Sequence, residues 1–93
     1  MIEQRVMELG ERRRITVTIW LSDNQAFTPD DPTWELTQTN QPVADGTCEA
    51  SADGAKWRLT AEIQPPARGD YRLTYIFGLG TEIIRRSVKI KVV

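Results

Sequence analysis

Gly69-Asp70-Tyr71-Arg72-Leu73-Thr74-Tyr75-Ile76-Phe77 sets a large apolar side chain at every second position: Tyr71, Leu73, Tyr75 and Phe77. Successive side chains of a strand point to opposite faces, so this stretch reads as a strand with one buried face. Working outward, the same period recurs in Ile15, Val17, Ile19 and Leu21, interleaved with Thr16, Thr18 and Trp20. It recurs again in Trp34-Glu35-Leu36, in Trp57, Leu59, Ala61 and Ile63, and in Val88, Ile90 and Val92. No segment carries a 3.6-residue period. The punctuation agrees. Pro29 and Pro32 bracket a loop, Asn40-Gln41-Pro42 ends a strand, and Asp45-Gly46 and Asp53-Gly54 read as turns. Pro65-Pro66 precedes the opening stretch, while Gly78 and Gly80 close a hairpin into the final strand. Short alternating strands broken by turns about every 8–12 residues predict an all-β sandwich or small barrel. Six strands are plain if Thr47–Ser51 is counted, and a seventh is expected near Glu3–Leu9. One irregularity stands out: the parity of Ile83 does not match that of Val88, Ile90 and Val92. A β-bulge near Arg85-Arg86 would restore the register.

Ninety-three residues make one domain, expected to span residues 1–93. No stretch approaches the roughly 20 apolar residues of a membrane-spanning helix. The charged segment Met1 to Arg14 does not read as a signal peptide. Net charge is −1, yet the charges are segregated. Asp23, Asp30, Asp31, Glu35, Asp45, Glu49 and Asp53 fall in a stretch without Lys or Arg, whereas Ala55 to Val93 holds eight basic residues against three acidic. Such polarity suits charge-matched or head-to-tail docking, unless strand pairing neutralises it internally.

The chemistry of the chain is mostly exclusion. There is no His, hence no Ser-His or Cys-His pair and no imidazole metal ligand. Cys48 is the one cysteine, so an internal disulfide is impossible, and it reads as a packing residue. Gly78-Leu79-Gly80 is too short for a phosphate loop and precedes a strand. Asp30-Asp31 sits in a Pro-flanked, solvated loop, poorly suited to acid–base work. The expectation is a protein that is not an enzyme and needs no cofactor. Arg12-Arg13-Arg14 and the set Arg85, Arg86, Lys89, Lys91 could form a basic stripe. A slightly acidic chain without interleaved aromatics argues against nucleic acid, so these charges read as solvated edge protection. Parity puts Trp20 and Ile76 on outer faces, where an exposed Trp marks a contact surface unless an Arg such as Arg58 stacks on it.

Pro66-Ala67-Arg68-Gly69-Asp70-Tyr71-Arg72-Leu73 resembles the corner leading into strand F of immunoglobulin-like domains. There a Tyr hydroxyl bonds back to backbone a few residues upstream. On that likeness Tyr71 is the corner Tyr and Trp34 the buried Trp of strand C. Leu73 and Val17 or Ile19 stand where antibody domains place their two Cys. The implied fold is an immunoglobulin-like antiparallel β-sandwich of about seven strands with no disulfide. Arg68 departs from the corner pattern, which often carries Asp. Together with the Thr-rich Arg14–Leu21 strand, the Thr28-Pro29-Asp30-Asp31-Pro32-Thr33-Trp34 loop and the Gly hairpin, the chain is similar to small immunoglobulin-like proteins of tailed bacteriophages and prophages.

That resemblance implies a structural or interaction protein, a virion component or accessory of head, neck or tail. It would bind other virion proteins, with a homo-oligomer as an option, and be found in the virion or host cytoplasm. The docking surface is expected to involve Trp20, Ile76, Arg85 and Lys89. The alternative is a glycan- or calcium-binding module. In such a sandwich the loop Ser22–Pro32 and the turns at Asp53-Gly54 and Gly78–Gly80 share one end. Asp23, Asp30, Asp31 and Asp53 would then approach one another, although their spacing matches no standard calcium loop.

Overall fold

The computed structural model describes residues 3–93; Met1 and Ile2, the start of the charged N-terminal stretch, lie outside the described residues. Among the described residues the chain forms eight strands and no helix. They are β1 (Glu3–Met7), β2 (Arg13–Ile19), β3 (Asp30–Gln38), β4 (Gln41–Thr47), β5 (Glu49–Asp53), β6 (Lys56–Ile63), β7 (Gly69–Leu79) and β8 (Glu82–Val92). Five make one sheet in the order β1-β8-β7-β3-β4, and three make a second in the order β2-β6-β5. All pairs are antiparallel except β1 with β8. β2 crosses to pair with β6, while β3 crosses to pair with β7. This interlocked strand order is that of an immunoglobulin-like β-sandwich, with β1 added in parallel at the edge. Eight strands exceed the expected seven by one, and the extra one is β4.

β4 was hidden by its own composition. Pro42 and Asp45-Gly46 read as turn chemistry, yet the turn lies earlier, at Thr39 and Asn40 with φ of 51° and 61°. Asp45 and Gly46 instead pair in the strand with Glu35 and Trp34. Gly46 is required there because the indole of Trp34 lies flat on it. A Cβ at Gly46 would sit 2.8 Å from Trp34 Nε1 and 2.9 Å from two ring carbons. Pro42 is tolerated because β4 is an edge strand with a register shift beside it, between Leu36 and Thr37.

The core follows the alternation closely. Ile15, Ile19, Trp34, Leu36, Leu59, Ala61, Ile63, Tyr71, Leu73, Tyr75, Phe77, Val88, Ile90 and Val92 are buried in one cluster, with Met7 from β1 and Cys48 between β4 and β5. Val17 and Trp57 are half-buried against it. The Tyr71 hydroxyl donates to the carbonyl of Ala67 at 2.7 Å and accepts from the Ala67 N–H at 3.3 Å, forming the corner expected from the sequence. Arg68, exposed beside it, leaves that corner intact. Tyr75 reaches further. Its hydroxyl donates to the Ile15 carbonyl on the opposite sheet. Every buried side-chain nitrogen and oxygen among the described residues has a partner.

The expected bulge at Arg85-Arg86 does not form. β8 pairs with β7 without a shift from Glu82 to Val92. Ile84, opposite Phe77, has the parity of Val88 and packs on the core, whereas Ile83 is 69% exposed. Arg86 occupies a core-facing position opposite Tyr75 but is exposed, its guanidinium turned back to the Arg85 carbonyl at 2.9 Å. Among the described residues β1 runs alongside β8 from Val88 to Val92.

Three substitutions test this packing by urea denaturation. Leu73→Ala, at a fully buried site, is expected to lose about 2–5 kcal/mol. Tyr71→Phe should lose about 1 kcal/mol by removing the corner hydroxyl. Gly46→Val should destabilise by about 1–3 kcal/mol through the clash with Trp34, with most of that loss recovered in a Trp34→Leu background.

Candidate functional site

Two solvent-facing sheet surfaces carry the residues singled out by sequence, and the structure assigns them to opposite sides of the sandwich. On the five-stranded sheet, strand pairing aligns outward side chains in rows. Gln4, Lys89, Arg72 and Thr37 stand side by side across β1, β8, β7 and β3. In the next row Val6, Lys91 and Asp70 are adjacent, and two rows the other way Arg85, Ile76 and Thr33 align. Arg85 and Lys89 are thus on one face, roughly 13 Å apart along β8. Ile76 is half-buried beside Arg85.

Trp20 is elsewhere. It follows β2 directly, on the outer side of the three-stranded sheet, and is 53% exposed. Lys56 covers part of it, with its Nζ 5.2 Å from the ring centroid, in the role suggested for Arg58. Arg58 instead pairs with Asp53 at 3.2 Å. Trp20 and Ile76 therefore lie on the outer faces of different sheets.

The segregated charge is partly cancelled within the fold. Arg14 holds Glu49 through both guanidinium nitrogens, Arg58 holds Asp53, and Arg85 lies 3.8 Å from Glu35. Each of these ties an acid of the Asp23–Gly54 stretch to a cation from outside it. Arg13 donates to the Val6 carbonyl at 3.2 Å and Arg12 lies 4.0 Å from Glu62. Arg12 and Arg14 are thus committed on the three-stranded side and do not join Lys89 in one stripe, whereas Arg13 reaches across to the backbone of β1 in the five-stranded sheet. Arg72, Lys89 and Lys91 have no ion pair within 4.0 Å among the described residues. They line an open groove of about 400 Å³ together with Gln4, Asn40 and Asp70. Sequence reasoning found Lys89 by parity but missed Arg72. Only the antiparallel register of β7 on β8 sets the two side by side.

The loop end is assembled as the fold requires. Trp57 Nε1 donates to the Phe27 carbonyl at 2.6 Å, and Asp30 pairs with Gly78, so the three loops share one end. The acids there have other business. Asp23 accepts from the N–H of Gln25 at 3.1 Å, and Asp53 is held by Arg58. No group of three His, Cys, Asp or Glu side chains among the described residues is placed to hold a metal ion. No helix among the described residues is long and apolar enough to cross a membrane.

Cys48 is 7% exposed, and its burial pushes the thiol up to about 11. At neutral pH it is a protonated packing group, out of reach as a nucleophile. Its folded value lies above the unfolded 9.0, so the unfolded chain loses the proton first. Stability should therefore fall as pH rises from about 9 to 11, by on the order of 2 kcal/mol more than in Cys48→Ala. Paired urea titrations across that range check it. No protein-family model and no curated protein sequence matches the chain. Among solved structures, the second immunoglobulin domain of the mouse polymeric immunoglobulin receptor is similar, at 15% identity over 100% of this chain and 97% of that one, with a TM-score of 0.46.

Proposed function

We propose that this chain is a non-enzymatic docking module that attaches to an acidic surface of a larger protein assembly through the outer face of its five-stranded sheet. The observation that carries the reading is the cluster Arg72, Lys89 and Lys91. These cations lie on neighbouring strands, without an ion pair within 4.0 Å among the described residues, beside a shallow polar groove that Asp70, opposite Lys91, also lines. Holding bare charge on a rigid face costs self-repulsion, which an acidic partner relieves while gaining orientation and association rate. Ile76 and Ile83 supply apolar contacts toward the other end of the same face.

The assembly favoured is a tailed-phage particle, where the chain would be a virion component or accessory of head, neck or tail. It would act in the virion or in the host cytoplasm where particles are built. Support for that setting is the likeness of its Gly69–Tyr75 strand, acidic Pro loop and Gly hairpin to small immunoglobulin-like phage proteins.

The purified chain is expected to co-sediment with particles from its source, and to bind a polyglutamate peptide but not polylysine. Binding should weaken with salt. Lys89→Glu with Lys91→Glu should weaken both interactions roughly tenfold or more while leaving the thermal transition in place. A chain that ignores polyglutamate and sediments apart from particles would refute the docking face and the assembly together. Binding to polyglutamate alone would refute only the phage setting.

A further inference from the structure

The outer face of the five-stranded sheet carries its cations in rows, and the rows differ in one respect. Lys91 has Asp70 directly opposite it on β7, and Arg85 lies 3.8 Å from Glu35 on β3. Between these two stand Lys89 and Arg72, opposite one another on β8 and β7. Their row brings no acid of its own. It continues to Thr37 on β3 and Gln4 on β1, both uncharged, and the Thr37 hydroxyl donates to the Arg72 carbonyl at 3.5 Å. Neither Arg72 nor Lys89 has an ion-pair partner within 4.0 Å among the described residues.

Directly opposed side chains start about 5 Å apart at Cβ, and like charges so placed destabilise a sheet. The pairing of β7 with β8 runs without a shift from Gly69 to Leu79, so the register cannot slide to separate them. Both side chains line the same groove, with Asn40 and Asp70 also on its walls. An oxyanion placed between the two cations turns their repulsion into a pair of charge-assisted contacts.

We propose that Arg72 and Lys89 form the seat for a single carboxylate of the acidic partner, and that Asp70 limits the seat to one acid, an assignment that rests on the docking reading above. Arg72 offers a planar fork that takes both carboxylate oxygens, and Lys89 adds a point charge from the neighbouring strand. Outward positions along one strand repeat at roughly 7 Å, and an extended partner segment lying along β7 repeats its side chains at the same interval. On one side, the segment's next acid would meet Asp70. On the other it would meet the row of Ser87, Thr74 and Glu35. Both neighbours repel a second carboxylate, so the seat selects an acid flanked by uncharged side chains. Lys91, tempered by Asp70 opposite it, steers the approach without fixing the contact.

Fluorescence anisotropy of a labelled polyglutamate peptide, at fixed ionic strength, tests the seat. Arg72→Gln and Lys89→Gln should each weaken binding about tenfold, against less than about threefold for Lys91→Gln. Arg72→Lys keeps the charge without the fork and should restore only part of the affinity lost in Arg72→Gln. Asp70→Asn should tighten binding about threefold or more, while Asp45→Asn, the same charge change out on β4, should leave it nearly unchanged. Arg72→Gln should not lower the urea midpoint, because it removes one of two opposed like charges, and this separates lost binding from a folding defect. Equal losses for Lys89→Gln and Lys91→Gln, or equal gains for Asp70→Asn and Asp45→Asn, would overturn the seat and leave the docking face standing. A wild-type chain that ignores the peptide would remove both. Inorganic phosphate that displaces the peptide where acetate of equal ionic strength does not would overturn the carboxylate assignment.

Discussion

The hydroxyl of Tyr75, donated across the core to the carbonyl of Ile15, is the contact on which the two sheets depend for their relative position. It joins a central strand of the larger sheet to the edge strand of the smaller one, at a fully buried site. A sandwich without a disulfide has only side-chain packing to hold its halves in register, and packing alone tolerates sliding. A buried hydroxyl does not, because an unmet donor in an apolar interior costs about 1–3 kcal/mol. Around this bond lie Leu73, Leu59 and Ala61, all completely buried. The Tyr71 corner fixes the approach of β7 from below, and Trp34 closes the side against Gly46.

With the interior satisfied, everything left to act lies on the surface. The two outer faces have different characters. On the three-stranded sheet the polar side chains pair with one another: Arg14 with Glu49, Arg58 with Asp53, and the Thr16 hydroxyl with that of Thr60. Such a face has most of its polar side chains already engaged within the sheet. On the five-stranded sheet, Arg72, Lys89 and Lys91 have no ion pair within 4.0 Å among the described residues. The cations left to meet an acidic partner therefore sit on the five-stranded side, away from the ion pairs of the three-stranded sheet.

The alternation in the sequence was enough to name almost every core residue, because burial on one face of a strand imposes a period of two whatever the neighbours are. It misled where local chemistry and tertiary pairing compete. Asp45-Gly46 carries turn composition, yet the Gly is there to admit an indole, a reason visible only once Trp34 is opposite it. Ile83 and Ile84 gave two possible parities. An inward Ile83 would need a bulge, whereas β8 runs without one: Ile84 faces the core and Arg86 takes an inward position with its guanidinium turned back to the Arg85 carbonyl.

The candidate surfaces divide the same way. That Trp20, Ile76, Arg85 and Lys89 point outward was determined by the sequence alone, since each is flanked by core residues at odd spacing or extends such a run. Which of them share a surface was decided only by the tertiary structure. Parity states on which side of its own strand a residue lies, but not to which sheet that strand belongs. Long-range pairing of β2 with β6 and of β7 with β8 made that assignment. It sent Trp20 to one side of the core, sent Ile76 to the other, and set Arg72 beside Lys89.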